Sequence, residues 1–96
     1  MSGVKLAPKA RTDLAEIWRY TATRWDSAQA DRYLAVLNGE IKAVSLDHRL
    51  GRPCDEVRAG YRRRSSGSHA IFYRVAADHI EIMRVLHQRM DARQHV

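Results

Sequence analysis

Residues 69–86 contain two largely apolar runs separated by the short stretch 76–79. The runs at 69–75 and 80–86 are rich in Ile, Val, Phe and Tyr, which favour β-strands. Residues 76–79 lie between them and are typical of a tight turn. The pattern therefore predicts two antiparallel strands in the centre of a sheet.

A turn centred on Ala77 and Asp78 sets the register of this hairpin. A slip by one residue would place Arg74 opposite an isoleucine and leave Glu81 among apolar side chains, so the register is well specified. The predicted facing pairs are Val75 with Ile80, Arg74 with Glu81, Tyr73 with Ile82, Phe72 with Met83 and Ile71 with Arg84.

Helical spacing of apolar positions precedes the hairpin and predicts two helices. A short strand at 4–7 comes first, and Pro8 then fits the first turn of a helix, where its missing N–H costs nothing. Asp26 can cap the second helix, with Gln29 as its capping-box partner. The first apolar stripe is Ala10, Leu14, Ile17, Trp18, Thr21 and Trp25, and the second is Ala30, Tyr33, Leu34, Leu37, Ile41, Val44 and His48.

Three residues on these helices carry specific expectations. Trp18 and Trp25 fall on the first stripe, so we expect both in the core rather than as platforms for stacking bases. Gly39 lies inside the second helix, where glycine costs about 1 kcal/mol relative to alanine. We expect it to mark a close approach of two backbones.

The remaining segments complete the predicted architecture. Residues 50–60 break the helical pattern and are expected to form a loop, whereas 61–65 form a strand that a turn at 66–68 joins to the hairpin. An N-terminal strand, a helical hairpin and a three-stranded antiparallel meander make an α+β fold with both helices packed on one sheet face. A chain of 96 residues makes a single domain, 1–96.

The charge balance indicates an acidic partner. The formal net charge is +6, and from Arg49 onward ten arginines stand against five acids. Such a basic surface suits a nucleic acid, an acidic protein segment or a membrane surface. The single cysteine, Cys54, and the absence of any apolar run of ~18 residues favour a soluble protein of the cytoplasm with no membrane partner.

Three stretches of the sequence resemble the toxins of the ParE branch of the RelE/ParE superfamily. They are LGRPCDEVRAGYRR at 50–63, IFYRV at 71–75 and IEIMRVLHQRMD at 80–91, of which RVLHQRMD is the most specific. The resemblance implies a RelE/ParE-like fold and a type II toxin that poisons DNA gyrase and is neutralised by a ParD-like antitoxin. It implies no cofactor.

The candidate target-binding surface is the polar segment that follows the last strand, because strand ends are where rigid scaffolds carry function. Alternatively, this segment clips onto the helices through Met90. Its residues are His87, Gln88, Arg89, Met90 and Asp91.

A second candidate surface is the arginine triplet Arg62, Arg63 and Arg64. Strand residues alternate between faces, so Arg62 and Arg64 share one face and Arg63 points to the other. The triplet either protects an edge strand from aggregation or forms a basic surface that meets the antitoxin, the target or RNA.

His87 decides whether the protein is an enzyme. RelE-type ribosome-dependent mRNA endonucleases use a general base, basic groups on the phosphate and a C-terminal Tyr or His. His87, Arg84 and the arginine triplet could form such a site, but the sheet lysines of RelE are absent and no tyrosine follows Tyr73. We therefore expect no catalytic residue, and the mRNA endonuclease is the first alternative.

The second alternative is a non-toxic basic nucleic-acid-binding domain. For the toxin itself we expect no direct sequence-specific binding of nucleic acid. The histidines have no metal-ligand spacing with Cys54, so we expect no metal site.

Overall fold

The computed structural model describes residues 3–96. Two short 3₁₀ helices, His48–Leu50 and Ala92–Gln94, flank the second half of the fold. The main elements in chain order are β1 (Val4–Leu6), α1 (Pro8–Arg24), α2 (Ser27–Leu46), β2 (Arg52–Pro53), β3 (Tyr61–Ser66), β4 (His69–Val75) and β5 (Ile80–His87).

The strands form one mixed sheet in the order β1-β5-β4-β3-β2. β1 runs parallel to β5, and the other neighbours are antiparallel. This arrangement confirms the predicted α+β fold. The two-residue strand β2 lies where the sequence predicted only a loop, because Arg52 pairs with Arg63 and Pro53 with Arg62.

The register of the β4–β5 hairpin is as predicted only near its turn. Val75, Arg74 and Tyr73 face Ile80, Glu81 and Ile82. The register then shifts by one at a β-bulge, so Phe72 faces Arg84 and Ile71 faces Val85. The predicted pairs of Phe72 with Met83 and Ile71 with Arg84 are therefore wrong.

The bulge has a packing reason. Val85 joins Ile80 and Ile82 in the core beneath the helices, which an unbroken two-residue alternation from Ile82 would not allow. Leu86 then lies in the cluster on the opposite sheet face. One extra residue thus keeps both faces of the sheet apolar.

Local sequence signals fix the ends of the helices. Pro8 occupies the first turn of α1. Asp26 caps α2, with its carboxylate accepting a hydrogen bond from the Gln29 N–H at 2.7 Å. The Gln29 side-chain oxygen accepts from Arg32. The principal core between the helices and the sheet contains Ala10, Ile17, Leu37, Ile41, Val44, Ile71, Tyr73, Ile80, Ile82 and Val85.

A second, smaller core covers the other face of the sheet. Its buried members are Cys54, Tyr61, Ala70, Phe72 and Leu86, against which Val57, Met83, Ala92 and Val96 pack. The C-terminal segment after β5 therefore clips onto the fold through Ala92 and Val96, on the sheet face opposite the helices. Burial raises the pKa of the Cys54 thiol.

Two expectations about the helices are wrong. Trp25 is 64% exposed because it is the C-cap residue of α1, with φ −119° and ψ −92°, where helical spacing no longer directs the side chain. Trp18 is half-buried, and its Nε1–H donates to Asp31 at 2.9 Å. Gly39 has no heavy atom within 4 Å of an added Cβ, so no backbone approaches closely there.

Candidate functional site

Two histidines meet at the C-terminal end of β5. His87 faces His69 across the β4–β5 ladder, with ring centroids 5.4 Å apart. His69 Nδ1 lies 2.6 Å from the Tyr33 hydroxyl oxygen, which also accepts the Ser68 N–H at 3.0 Å. Because a phenol is a stronger hydrogen-bond donor than a neutral imidazole, we assign the Tyr33 O–H as the donor to His69 Nδ1, which places the proton of the neutral His69 ring on Nε2.

His87 is held in the matching tautomer. Its Nδ1 accepts the Arg89 backbone N–H at 3.1 Å, so its Nε2 also carries the proton when the ring is neutral. Burial and the neighbouring His87 lower the pKa of His69, against a smaller opposing effect of Asp13. The pair thus presents two Nε2–H donors from adjacent strands.

The segment after β5 is fixed at both ends and exposed in the middle. The Gln88 N–H donates to the Ser68 carbonyl at 2.9 Å, and its side-chain amide donates to the Gly67 carbonyl at 2.8 Å. The Asp91 carboxylate accepts the Arg93 N–H at 3.2 Å and starts the last 3₁₀ helix. Arg89 and Met90 lie exposed between these anchors.

An ion pair that the sequence analysis missed connects α1 to this region. The Asp13 carboxylate receives Nε and Nη2 of Arg84, both at 2.8 Å, and the Val85 N–H at 2.9 Å. Arg84 also donates to the backbone carbonyl of His95. A signal was present, because Asp13 lies three residues after Ala10 and four before Ile17, on the buried side of α1.

Two cavities open along α1 beside the histidine pair, and Tyr20, His69 and His87 line both. The inner cavity, of about 350 Å³, extends toward Asp13, Ile17, Arg84 and Met90. The outer cavity, of about 320 Å³, extends toward Arg24, Trp25, Gln29 and Tyr33.

The arginine triplet divides between the two sheet faces as predicted. Arg62 donates to the Gly51 carbonyl at 2.7 and 3.1 Å. Arg64 binds Glu40 at 2.5 Å and the Leu50 carbonyl at 3.1 Å. Arg63 lies on the opposite face, with its guanidinium carbon 5.6 Å from the Phe72 ring centroid.

Arg62 and Arg64 thus hold the segment that connects α2 to β2. Tyr73 supports the same segment, since its hydroxyl donates to the His48 carbonyl at 2.6 Å and accepts the Gly51 N–H at 2.9 Å. A Cβ on Gly51 would lie 2.2 Å from that hydroxyl oxygen. This position therefore requires glycine, and two of the three arginines act inside the fold.

Within residues 3–96 no group of three or more His, Cys, Asp or Glu side chains is placed to hold a metal ion. Within the same range, neither helix has the length and apolar character needed to cross a membrane.

Comparison with known proteins gives consistent matches over most of the chain. The family described as "ParE toxin of type II toxin-antitoxin system, parDE" matches residues 4–92. Toxin ParE1 of Mycobacterium tuberculosis is 49% identical over 87 residues, which cover 90% of this chain and 89% of the relative. Toxin ParE1 of Caulobacter vibrioides is 44% identical over 96 residues, covering 100% and 99%.

A solved structure shares the fold. A chain of the chromosomal ParDE TA system from P. aeruginosa superposes with a TM-score of 0.80 at 19% identity, covering 91% of this chain and 96% of that one. Two helices packed on a mixed sheet are therefore common to both chains.

Proposed function

Because the chain belongs to the ParE toxin family of type II toxin-antitoxin systems, we propose that it poisons DNA gyrase and is neutralised by a ParD-like antitoxin. The name of the P. aeruginosa system, ParDE, supports an antitoxin partner of that type. The net charge of +6 favours association with acidic segments. A cytoplasmic location, expected from the composition, belongs to the same proposal.

The observation that carries this proposal is the shape of the segment after β5. Its target-binding residues are His87, Gln88, Arg89, Met90 and Asp91. Gln88 and Asp91 are tied to the protein backbone, and Arg89 and Met90 project from between them. Arginine is enriched at interface hot spots, and a fixed backbone lowers the entropy lost on binding. Arg89 is therefore the anchor of the proposed surface.

The toxin acts, in this proposal, by binding and not by cleaving RNA. Stabilising a phosphoryl transition state requires cations aimed at the phosphate. Arg84 is paired with Asp13, and Arg62 and Arg64 are engaged with Gly51 and Glu40. Three of the cations that an RNA-cleaving site would use are thus already committed within the protein.

The test is inhibition of gyrase supercoiling by the purified toxin. The wild-type chain inhibits, and Arg89→Ala requires at least about tenfold more protein, equivalent to about 1.4 kcal/mol of binding. Arg19→Ala removes an exposed arginine from α1 and leaves inhibition unchanged. Ribosome-dependent mRNA cleavage without gyrase inhibition would instead establish the endonuclease alternative. Salt-dependent DNA binding with neither activity would establish the nucleic-acid-binding alternative.

Arg63 is the proposed antitoxin contact within the triplet. Unlike Arg64, it forms no ion pair within residues 3–96, so its charge is available to an acidic segment of the antitoxin. Arg63→Gln is expected to weaken antitoxin binding and to reduce its salt dependence. Equal salt dependence of Arg63→Gln and wild type in a titration with purified antitoxin would remove Arg63 from that interface.

A further inference from the structure

Apart from His87, the outer cavity is lined by residues that the gyrase proposal does not use. It lies between the end of α1 and the histidine pair, and Arg24 contributes its cation. Among the described residues that line it there is no carboxylate. A cavity walled by a cation and N–H donors suits a ligand with anionic oxygens.

The hydrogen bonds at Nδ1 of His69 and His87 determine that Nε2 is the nitrogen available as a donor to a ligand. Tyr33 engages Nδ1 of His69 and the Arg89 N–H engages Nδ1 of His87. Within residues 3–96 no side-chain nitrogen or oxygen is both buried and unpaired, so His69 Nε2 keeps some exposure, and both histidines line the cavity. Two N–H groups from adjacent strands are therefore positioned before any ligand arrives.

The opposite wall is aromatic and exposed. Trp25 is 64% exposed and Tyr20 66% exposed, although both are large apolar rings. The Arg24 guanidinium carbon lies over the Trp25 ring, 5.8 Å from its centroid, so a cation covers one face of the indole and a ligand would stack on the other. Aromatic rings of this kind stack unpaired bases irrespective of sequence.

We propose that the outer cavity binds a single nucleotide, with its phosphate on the Nε2–H groups of His69 and His87 and on Arg24, and its base against Trp25. The volume of about 320 Å³ is in the range of small-ligand pockets. The Gln29 amide, also in the lining, offers both a donor and an acceptor to a base edge. A carboxylate alone would use the donors and leave the exposed rings without a partner.

The nucleotide comes either from the free pool or from an unpaired position in a nucleic-acid strand. Both sources present the same phosphate and base, and neither depends on gyrase being the target. Binding of a nucleotide requires no cleavage, in agreement with the pairing of Arg84 with Asp13. The two sources are separated by comparing a mononucleotide with a short single strand.

The experiment uses the fluorescence of Trp25 to detect binding. Trp18→Phe retains an aromatic ring at the half-buried position and leaves Trp25 as the sole tryptophan. Its fluorescence is titrated with 5′-AMP, adenosine, inorganic phosphate and a seven-residue oligothymidylate, and calorimetry on the wild-type chain checks each titration. The expected result is saturable quenching by 5′-AMP, with affinity at least about tenfold above adenosine and phosphate.

Variants locate the binding in the cavity. Arg24→Gln and His69→Gln each weaken 5′-AMP binding at least about fivefold, and Arg19→Gln, on the same helix, leaves it unchanged. Tighter binding of the oligothymidylate than of 5′-AMP identifies a strand as the source, and the reverse order identifies a free nucleotide. The proposal is overturned when neither 5′-AMP nor the oligothymidylate gives a saturable signal. It is also overturned when Arg24→Gln, His69→Gln and wild type bind 5′-AMP with equal affinity.

Discussion

Asp13 and Arg84 lie 71 positions apart in the sequence and form a two-pronged ion pair, with both nitrogen–oxygen distances at 2.8 Å. Their side chains are only 9% and 16% exposed. The carboxylate also receives the Val85 N–H, and the guanidinium also reaches the His95 carbonyl. This one pair therefore joins α1, the bulged part of β5 and the C-terminal segment.

Replacing Asp13 by alanine is expected to lower the free energy of unfolding by about 3 to 5 kcal/mol, because a buried guanidinium loses its partner. Urea unfolding measures the change. Arg19→Ala, at an exposed position of α1, serves as the control and stays within about 0.5 kcal/mol of wild type. The double variant Asp13→Ala/Arg84→Met should recover much of the loss, since it removes the unpaired charge. Equal stability of Asp13→Ala and Arg19→Ala would show that the pair contributes little.

Gly51→Ala is expected to destabilise the fold by about 1 to 3 kcal/mol through overpacking. The new Cβ would lie 2.2 Å from the Tyr73 hydroxyl oxygen and displace the bonds to His48 and Gly51. Gly39→Ala is the matched contrast, because nothing lies within 4 Å of its Cβ and alanine favours a helix by roughly 0.5 to 1 kcal/mol. Thermal unfolding of both variants should show opposite shifts, and a stabilising Gly51→Ala would contradict the structure.

The depressed pKa of His69 makes stability depend on pH in a defined direction. Burial, then His87, lowers the pKa of His69 in the folded protein, so the unfolded chain takes up the proton first as the pH falls. The stabilisation is therefore present above about pH 6.5, the ordinary histidine value, and is lost as the pH falls through the folded pKa.

Denaturant unfolding at about pH 7.5 and pH 5.5 measures this dependence. His69→Gln keeps a polar side chain beside Tyr33 but cannot titrate, so its loss of stability between the two pH values should be smaller than that of wild type. Identical losses in both proteins would assign the effect to other groups.

Cys54 is expected to resist thiol reagents until the protein unfolds. Its side chain is completely buried, and burial raises the pKa of the thiol, which lowers the thiolate fraction that reacts. Reaction with a disulfide reagent at about pH 8 should be slow for the native protein and fast in denaturant. Rapid labelling of the native chain would show that residues 54–60 open frequently.

Removing residues 87–96 is expected to cost about 3 kcal/mol or more, since it takes the last residue of β5 together with Ala92 and Val96 from the second core. Circular dichroism during urea unfolding checks this loss. A truncated chain as stable as wild type would show that the clip contributes nothing. Because truncation disturbs both fold and surface, Arg89→Ala is the cleaner test of target binding.

Long regular elements could be predicted from the sequence because their apolar spacing follows from backbone geometry. The hairpin of β4 and β5 and both helices are of this kind. The β-bulge was not predicted because the alternation of side chains between the two sheet faces was assumed to continue past Ile82. The three-residue step between the apolar residues Ile82 and Val85 is a sequence signal for the bulge. β2 has two residues, Arg52 and Pro53, too few to carry a pattern.

The candidate site could be predicted only in part. The segment after β5 was recognisable because the apolar pattern ends at Leu86. The His69–His87 contact depends on the shifted register, and the exposure of Trp25 depends on the point where α1 ends. The roles of Arg62 and Arg64 depend on carbonyls at the end of a single 3₁₀ turn and just after it, and the spacing of residues in the sequence does not predict where those carbonyls lie.

The pairing of β1 with β5 sets the order in which the chain can mature. Val4 and Leu6 lie opposite Ile80 and Ile82, so the sheet stays incomplete until β5 has been synthesised. The helical hairpin, with its local contacts, can form much earlier, whereas closure by distant strands is slow. The segment at 87–91 follows β5 directly, so it takes its final position only after the first and last strands of the sheet have met.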